Sequence, residues 1–476
     1  MTHLENSAEI WRRVDEKSGA FFALSDRVWG MPELNYQERR SCAEHRAMLE
    51  AQGFRVTAGI AGLPTALMGE AGQGGPVIAI LGEYDALPGL SQVAGVAVET
   101  PAVPGGNGHG CGHNMLGSAS LLAAASVKDW LTARGLAGRV RYYGCPAEEG
   151  GSSKGFMVRA GVFDDVDAAV CWHPASFTGV NRPFSLACVE IEFTFHGRAA
   201  HAAAAPHLGR SALDAVELMN IGVNYMREHM PSTARVHYAL IDGGGIAPNV
   251  VQSKAVVRHL IRAADLSAMW ELVGRVKKIA EGAALMSETR VEAAQLSGDA
   301  NLVGNAPLEA CMHAHLMRLG GPGFDAADHA FAREIQKSLS AQDIAASYGR
   351  FGLAETPGEA LSEAVYPLGS GSDNAVGSTD VGTVSWVVPT VQCRAACYAV
   401  GTPGHSWQLV AQGRAPAAHK GLALAAKAMA GVACDALADA ALLAAAKDTH
   451  AAFRAKNPFQ NPIGDEIEPP LAMAAR

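Results

Sequence analysis

Cysteine and histidine side chains cluster in a glycine-rich segment of the chain, GGNGHGCGHNMLG at residues 105–117. Cys111 and His113 are two residues apart, a spacing that places both side chains on the same side of an extended loop. Zn²⁺ accepts cysteine, histidine and carboxylate ligands together, so this pair is a candidate metal site, although Cys-x-His alone is a weak signal. A flexible turn is the alternative, and we interpret His109 as a neighbouring loop residue. A phosphate-binding loop is rejected because the G-x-G-x-x-G spacing and a following Lys-Ser or Lys-Thr are missing.

Two adjacent carboxylates, Glu148 and Glu149 in PAEEGG, form the second candidate. Adjacent carboxylates repel each other unless a cation lies nearby or one of them is protonated. A metal ion resolves this conflict if one glutamate binds it while the other holds a water molecule as general base. The alternative is a solvated acidic loop, which the preceding apolar strand and the flanking glycines make less favourable.

Three further residues have suitable chemistry, and each has an ordinary alternative. His173 in VCWHP ends an apolar run, as a buried core histidine also would. His405 in GTPGHSW lies in a Pro/Gly loop, where a lone histidine is usually a surface residue. Asp85 in GEYDALPG either forms a turn or orients a metal-binding histidine.

Short apolar strands must position these residues. Strands are predicted at 77–81, at 140–144 and in the apolar run that ends at His173, with helical segments between them. This alternation predicts an α/β fold with a largely parallel sheet, which binds ligands beyond the carboxyl ends of its strands. The candidate ligand positions expected to converge at this edge are Asp85, Cys111, His113, Glu148, Glu149 and His173.

A different pattern begins near Ser185, where strand, helix, two strands, helix and strand follow one another. The order β-α-β-β-α-β is the plan of a ferredoxin-like unit. We therefore predict an inserted domain at 185–302 and a first domain formed by 1–184 and 303–476. In the returning part, GTVSWVVP and ACYAVG are predicted strands, followed by an Ala-rich helix.

Length and composition fit two soluble globular domains. The chain has 476 residues, 49% of them hydrophobic and 18% charged, and a net charge of -9 without a dense run of Lys or Arg. This gives no electrostatic basis for binding nucleic acid or an anionic membrane. The charged N-terminus lacks a secretory signal, and charges between Gly421 and Ala446 argue against a membrane span. Nine cysteines at no framework spacing favour reduced thiols, so we expect a cytosolic protein that acts on a small molecule.

Eight motifs together resemble the aminoacylase and carboxypeptidase family of dimetal amidohydrolases. In chain order they are MPELNYQE, GEYDALPG, GHGCGHNMLG, PAEEGG, CWHP, GRAAHAAAAPHLGRSALDA, GGGIAPNVV and GTPGHSW. The resemblance covers nearly the whole chain. More narrowly, the chain looks like the subfamily of bacterial p-aminobenzoyl-glutamate hydrolases and indoleacetyl-amino acid hydrolases.

The resemblance implies an α/β metallohydrolase catalytic domain that holds two divalent ions, Zn²⁺ or Mn²⁺, per chain. The residues that match the family's metal ligands are Cys111, His113, Glu149, His173 and His405. Glu148 matches the general base that activates water, and Asp85 matches an acidic residue near the metal centre.

The resemblance also implies that 185–302 is a lid and dimerisation domain in a homodimer. His201 in GRAAHAA matches a histidine that in relatives reaches across a dimer to the oxygen of the scissile carbonyl. Asn249 matches a lid residue near the substrate carboxylate. Arg262 is a candidate carboxylate partner from its place in a lid strand.

The predicted reaction is hydrolysis of the amide bond of an N-acyl or N-aroyl amino acid, such as p-aminobenzoyl-glutamate. Indoleacetyl-aspartate hydrolase and general N-acyl-amino acid aminoacylase are the alternatives with the same chemistry. Glu83, Asn114 and Met31 depart from many relatives, but none is a proposed ligand. A binding homologue that kept the fold would need a missing ligand or a missing Glu148, and none is missing.

Overall fold

Eleven strands form two sheets in the computed structural model, which describes residues 7–371 and 377–475. The strands are β1 (Arg55–Ala58), β2 (Leu67–Gln73), β3 (Val77–Glu83), β4 (Gly138–Cys145), β5 (Ala168–Ala175), β6 (Gly179–Val180), β7 (Ala187–His196), β8 (Arg235–Asp242), β9 (Lys254–Ala263), β10 (Arg290–Asp299) and β11 (Thr390–Ala396). The larger sheet has the order β1-β2-β4-β3-β5-β11-β6, and the smaller sheet has the order β10-β7-β9-β8.

The centre of the larger sheet is parallel. Strands β4, β3, β5 and β11 run parallel to one another, whereas β1, β2 and β6 pair antiparallel towards the edges. Every residue of β3 is buried, as expected for a central strand that is covered on both faces. The predicted α/β fold with a largely parallel sheet is confirmed.

Helices pack against both faces of the larger sheet and against the smaller one. They are α1 (Ser7–Trp29), α2 (Arg39–Ala51), α3 (His113–Arg134), α4 (Ser153–Arg159), α5 (Ala212–Met226), α6 (Leu266–Ser287), α7 (Ala306–Leu319), α8 (Ala326–Gln336), α9 (Ala341–Arg350), α10 (Val381–Ser385), α11 (Trp407–Gln412), α12 (Pro416–Ala438) and α13 (Ala440–Lys456). Side chains of β3 alternate between two hydrophobic clusters. Ile78 and Ile80 pack with residues of α1, α3, α7 and α12, and Ala79 and Leu81 pack with residues of α4 and α10.

The smaller sheet is antiparallel throughout and carries α5 and α6. Its elements follow the chain as β7-α5-β8-β9-α6-β10, which is the order that the sequence predicts. Ser211 and Asp265 begin the two helices by accepting hydrogen bonds from backbone N–H groups of their first turns. The exact limits of an inserted domain and its role as a lid stay predictions.

Two strands predicted in the last part of the chain are wrong. GTVSWVVP begins within α10, and ACYAVG begins only at the last residue of β11. A short apolar run rich in β-branched residues does not distinguish a buried helix from a strand. The residue before α10, Asp380, accepts hydrogen bonds from the ammonium and the backbone N–H of Lys154 at 2.6 and 3.0 Å. This contact between distant parts of the chain holds the segment, and no local pattern reveals it.

Helix α12 bears on the expectation that charged residues argue against a membrane span in this part of the chain. Among the described residues it is the one helix long and apolar enough to cross a membrane by length and composition. However, 78% of its most apolar window is buried inside the protein, where α12 packs against α1, α3 and β11. Burial of this kind is typical of a core helix.

Close packing of α3 on β3 leads to a stability prediction. A Cβ at Gly117 would lie 2.4 Å from the carbonyl oxygen of Glu83 and 2.7 Å from the ring of His45. We expect Gly117→Ala to lower the free energy of unfolding by roughly 1–3 kcal/mol, the usual cost of overpacking. Gly19→Ala in α1 is the matched control, because nothing lies within 4 Å of its Cβ. Urea denaturation that gave both variants the same midpoint would contradict the close approach.

Candidate metal centre

The candidate ligands lie at the carboxyl edge of the parallel strands. Asp85 lies two residues beyond the end of β3. Cys111 lies at the end of the glycine-rich loop that follows, and His113 is the first residue of α3. The loop after β4 carries the pair Glu148–Glu149. His173 lies within β5 rather than beyond its end.

Three groups of side chains at this edge have ligand atoms within 4.8 Å of one another. They are Cys111, His113 and His173; Cys111, Glu149 and His405; and Glu83, His113 and Glu148. Cys111 belongs to two groups, and its Sγ lies 3.3 Å from His173 Nε2. His405 Nε2 lies 3.2 Å from a carboxylate oxygen of Glu149. The structure therefore brings together the five residues that match metal ligands, with Glu148 beside them.

Asp85 connects the two loops that carry these ligands. Its Oδ1 accepts a hydrogen bond from His113 Nδ1 at 2.8 Å, and its Oδ2 accepts one from the backbone N–H of Glu149 at 2.9 Å. His113 Nε2 is thereby left facing the site, buried and without a hydrogen-bond partner among the described residues. Glu149 Oε1 is buried and unpartnered in the same way. A buried polar atom without a partner destabilises the folded state. A divalent cation would bind both atoms, so the donor set fits a metal.

Unusual backbone conformations occur in the segments that carry two of the candidate ligands. Ala147 has a φ of 54°, and its N–H donates to Glu38 Oε1 at 2.9 Å. His405 has a φ of 55°, and its N–H donates to the carbonyl oxygen of Gly110 at 2.9 Å. Left-handed backbone at residues other than glycine persists only where surrounding contacts hold it, and such residues cluster at functional sites.

Negative charge exceeds positive charge at the site. Burial, followed by repulsion from Glu83 and Glu149, raises the pKa of Glu148 well above its usual range. Hydrogen bonds to Cys111 and to Glu149 raise the pKa of His405 to about 10. Both shifts indicate a site that attracts positive charge, as a cation-binding site must.

A buried cluster of charges beneath the site was missed by the sequence analysis. Lys154 Nζ donates to Glu83 Oε1 at 2.7 Å and to Asp380 Oδ1 at 2.6 Å, and all three side chains are buried. Glu83 Oε2 also lies 3.3 Å from His113 Nε2. The sequence singles out only Glu83 of these three residues, as a departure from the family pattern that the chain resembles. Lys154 and Asp380 are 226 residues apart in the chain, so their pairing leaves no local pattern.

A cavity of about 560 Å³ extends from the candidate metal centre to the smaller sheet. Cys111, His173 and His405 line one end, and residues of β7, β9 and β10 line another wall. Arg262 of β9 lines the cavity and donates from Nη1 to the hydroxyl of Ser378 at 3.3 Å. Its predicted place near a substrate is therefore compatible with the structure.

Three other residues singled out in the sequence lie elsewhere. His201 and Asn249 are exposed and do not line the cavity, so a single chain does not bring them to the candidate metal centre. His201 Nδ1 accepts hydrogen bonds from the backbone N–H groups of Ala203 and Ala204 at 3.3 and 3.1 Å. His109 is buried, with its Nε2 3.0 Å from the carbonyl oxygen of Val28, and belongs to none of the ligand groups.

Comparisons with known proteins agree with this fold. Residues 79–330 match the profile of Peptidase family M20/M25/M40. The chain is 46% identical over 477 residues to a p-aminobenzoyl-glutamate hydrolase subunit of Escherichia coli (strain K12), covering 97% of this chain and 99% of the relative. It is 29% identical over 290 residues to a second p-aminobenzoyl-glutamate hydrolase subunit from the same organism, covering 58% of this chain and 65% of that relative.

A solved structure is similar in fold. The YXEP protein of Bacillus subtilis, described as a dinuclear metal binding peptidase of the M20 family, has a TM-score of 0.54 and 18% identity, covering 89% of this chain and 99% of that one. The protein is an amidohydrolase, as the sequence analysis expected. More particularly, the chain belongs to Peptidase family M20/M25/M40.

The buried Lys154 cluster leads to a second prediction. Replacing Lys154 by Met leaves Glu83 and Asp380 buried without their cation, and breaking a buried ion pair in this way costs about 3–5 kcal/mol. Burial raises the pKa of Asp380 to about 7 even beside Lys154. Loss of the cation should raise that pKa further, so the variant keeps a proton that the wild type has released. The stability deficit of Lys154→Met should therefore shrink as the pH falls towards about 7.

Lys420→Met is the matched control for this measurement. Lys420 also pairs with two carboxylates, those of Asp325 and Asp328, but it lies nearer the surface. Loss of the Lys420 ammonium should therefore change the free energy of unfolding much less than loss of the Lys154 ammonium. Urea midpoints of both variants, measured across this pH range, give the loss in the free energy of unfolding. Losses that are equal in the two variants and independent of pH would contradict the buried cluster.

Proposed function

We propose that the protein is a metal-dependent hydrolase of N-aroyl or N-acyl amino acids that releases a carboxylic acid and a free amino acid. The observation that carries this proposal is the pair of ligand groups that share Cys111 at one end of a large cavity. The first candidate substrate is p-aminobenzoyl-glutamate. It is supported by the Escherichia coli relative named as a hydrolase of that compound, which matches this chain over nearly its full length.

Two divalent ions would be held by the side chains that converge at the sheet edge. The residues in question are Cys111, His113, Glu149, His173 and His405, with Cys111 in both groups. When bound, the ions supply a Lewis acid that polarises the amide carbonyl and lowers the pKa of a water molecule. The cysteine favours Zn²⁺, while the imidazole and carboxylate ligands also suit Mn²⁺.

The chain's own groups supply proton transfer and positioning. Glu148 accepts a proton from the attacking water and returns it to the nitrogen of the leaving amine. A raised pKa suits this role, because the carboxyl must gain and lose the proton within one turnover. Asp85 holds His113 by its Nδ1 and thereby keeps Nε2 directed into the site.

The alternative acyl groups use the same centre. Indoleacetyl-aspartate and simple N-acetyl amino acids would differ from p-aminobenzoyl-glutamate in the acyl part that fills the cavity and in the amino acid that they carry. One methylene in an apolar pocket changes preference by only about 1–3 kcal/mol. Hydrolysis of all three substrate types by the same metal-loaded preparation therefore ranks these alternatives.

The shared position of Cys111 gives a prediction about metal content. Cys111→Ala should lose most of both ions and all turnover, whereas His405→Ala should lose mainly one ion, because His405 occurs in one group only. Glu148→Gln should keep the ions and lose turnover. Metal analysis by mass spectrometry, combined with hydrolysis of p-aminobenzoyl-glutamate, measures both effects.

Cys42→Ala is the control, since Cys42 is a buried thiol of α2 that belongs to none of the ligand groups. It should keep metal and activity. Near-normal turnover in Glu148→Gln or in Cys111→Ala would overturn the assignment.

A homodimer through the smaller sheet is the assembly that we propose. Strand β8 is an edge strand whose Tyr238, Leu240 and Ile241 are 44, 53 and 48% exposed. Ile221 and Tyr225 of α5 are also exposed. An exposed edge strand with apolar side chains is a typical docking surface. The alternative partner is a different chain, related to the second Escherichia coli relative.

The proposed dimer gives His201 and Asn249 a role that one chain alone does not provide. In the pair, His201 would reach the scissile carbonyl bound by the opposite chain and donate to the oxygen that gains negative charge. Asn249 would contact the substrate carboxylate from the same side.

This arrangement predicts complementation between two inactive variants. His201→Ala and Glu148→Gln, each inactive alone, should regain activity in mixed dimers, because the site with an intact Glu148 receives His201 from the other chain. A mixture of Glu148→Gln with Cys111→Ala is the control and should stay inactive, since every site then carries a defect of its own chain. Dimers that form without rescue would show that His201 does not act across the dimer.

Thiol usage supports a cytosolic location, which we also propose. All nine cysteines are free; eight are buried, and Cys111 is half-buried. A reducing compartment keeps an accessible thiol such as Cys111 available to a metal.

A further inference from the structure

Several arginines line the cavity that contains the candidate metal centre. Arg262, Arg350 and Arg394 all contribute to its wall. None of the three forms an ion pair with a carboxylate among the residues that the structure describes. An unpaired arginine at a surface is ordinary, but several in one concave site indicate an anionic ligand.

Arg394 lies next to the candidate metal centre. Strand β11 runs parallel to β5, and the Cα of Arg394 pairs with that of His173, so both side chains lie on the same face of the sheet. The Arg394 side chain is half-buried, and its Nε donates to Asn181 Oδ1 at 3.0 Å. Its two Nη nitrogens make no hydrogen bond with the described residues and remain available to a ligand in the cavity.

Arg350 approaches from a different element and is held in place by aromatic packing. It is the last residue of α9, and Tyr348 and Phe351 on either side of it pack against Phe177 with ring centroids 4.9 and 5.3 Å apart. Phe351 also packs against Tyr366 at 5.5 Å. The backbone at Arg350 is therefore fixed, while its guanidinium is exposed in the cavity without a hydrogen bond to the described residues.

A cation in the last turn of a helix also complements the helix dipole, which is the ordinary explanation for Arg350. That explanation does not account for a second guanidinium nearby. Burial, and then the charge of Arg350, lowers the pKa of Arg394, so the two like charges repel each other. An anion bound between them would offset this repulsion between the two positive charges.

The acidic groups of the cavity have other partners and do not neutralise this pair. Among the described residues they are Glu148, Glu149, Glu190, Asp299 and Asp343. Glu148 and Glu149 belong to the candidate metal centre. Glu190 is engaged by Arg258, whose Nη1 lies 3.2 Å away, and Asp299 accepts a hydrogen bond from Cys188 Sγ at 3.4 Å. Asp343 accepts hydrogen bonds from the backbone and hydroxyl of Ser340, where it caps α9.

We propose that Arg350 and Arg394 together bind the second, side-chain carboxylate of the substrate, and that with Arg262 they select an amino acid that carries two carboxylates. This inference rests on the proposed function. Planar guanidinium groups bind carboxylates through paired hydrogen bonds. A neutral analogue would leave these guanidinium groups without a carboxylate partner, so the site should discriminate against such analogues.

The test combines enzyme variants with substrates of different charge. The substrates are p-aminobenzoyl-glutamate, p-aminobenzoyl-glutamine and p-aminobenzoyl-alanine, with kcat and KM determined for each. We expect Arg350→Ala to raise KM for the glutamate substrate at least about tenfold, as expected for loss of a hydrogen bond between charged groups. The glutamine and alanine substrates should change much less, and Arg350→Lys should recover part of the loss.

Arg333→Ala is the matched control, because Arg333 is an exposed arginine of neighbouring α8 that does not line the cavity. It should leave all three substrates unchanged. Arg394→Gln should repeat the selectivity loss, and if that variant does not fold, the exposed Arg350 still decides the outcome. An equal effect of Arg350→Ala on all three substrates, or no effect, would overturn the proposed subsite.

Binding measurements separate this inference from the proposed function. Glutarate has two carboxylates and no amide bond, and butyrate has one carboxylate. Calorimetry at equal metal loading should show that Arg350→Ala weakens glutarate binding at least about tenfold and butyrate binding less. If the wild-type protein hydrolyses none of the amides yet shows this dependence, the proposed function fails and the subsite stands. If it hydrolyses them and neither arginine variant changes selectivity or binding, the subsite fails and the function stands.

Discussion

The carboxylate of Asp85 is the contact on which the candidate site depends most directly. Its two oxygens bind His113 Nδ1 and the backbone N–H of Glu149, and so join the loop after β3 to the loop after β4. Burial alone would raise the pKa of Asp85, but the charge of His113 and their hydrogen bond keep that pKa below its usual value. One ionised side chain thus orients an imidazole and positions the backbone of a glutamate. Without it, His113 and the backbone of Glu149 would lose the hydrogen bonds that hold them in position relative to each other.

Several carboxylates at one sheet edge repel one another and destabilise the folded state, and contacts with surrounding residues offset this repulsion. Lys154 takes up the charge of Glu83 and Asp380 within the protein interior. Backbone donors and the hydroxyl of Thr65 surround Glu38, although burial still raises the pKa of Glu38 to about 8. What remains at this edge of the sheet is the negative charge of the candidate ligands themselves. The fold therefore holds a cation-binding site open instead of neutralising it from within.

The sequence predicted the parts of this structure that are set by local pattern. Apolar runs that end in polar residues located β3 and β4, and the Cys-x-His and Glu-Glu motifs supplied residues that the structure brings together. Contacts between distant segments left no such pattern. The pairing of Lys154 with Asp380 and the position of Arg350 beside Arg394 depend on elements far apart in the chain. The same limit explains α10, because a short apolar run is compatible with a buried helix as well as with a strand.

The two charged regions of the cavity have a joint consequence for chemistry. Carboxylates are good ligands for divalent cations, so a substrate or product with free carboxylates could occupy a metal centre unproductively. In the proposed subsite, Arg350 and Arg394 would compete for those carboxylates and keep them away from Cys111 and His405. The neutral amide then becomes the group that reaches the metal centre. Selection of an anionic amino acid and protection of the centre from that anion would thus come from the same arginines.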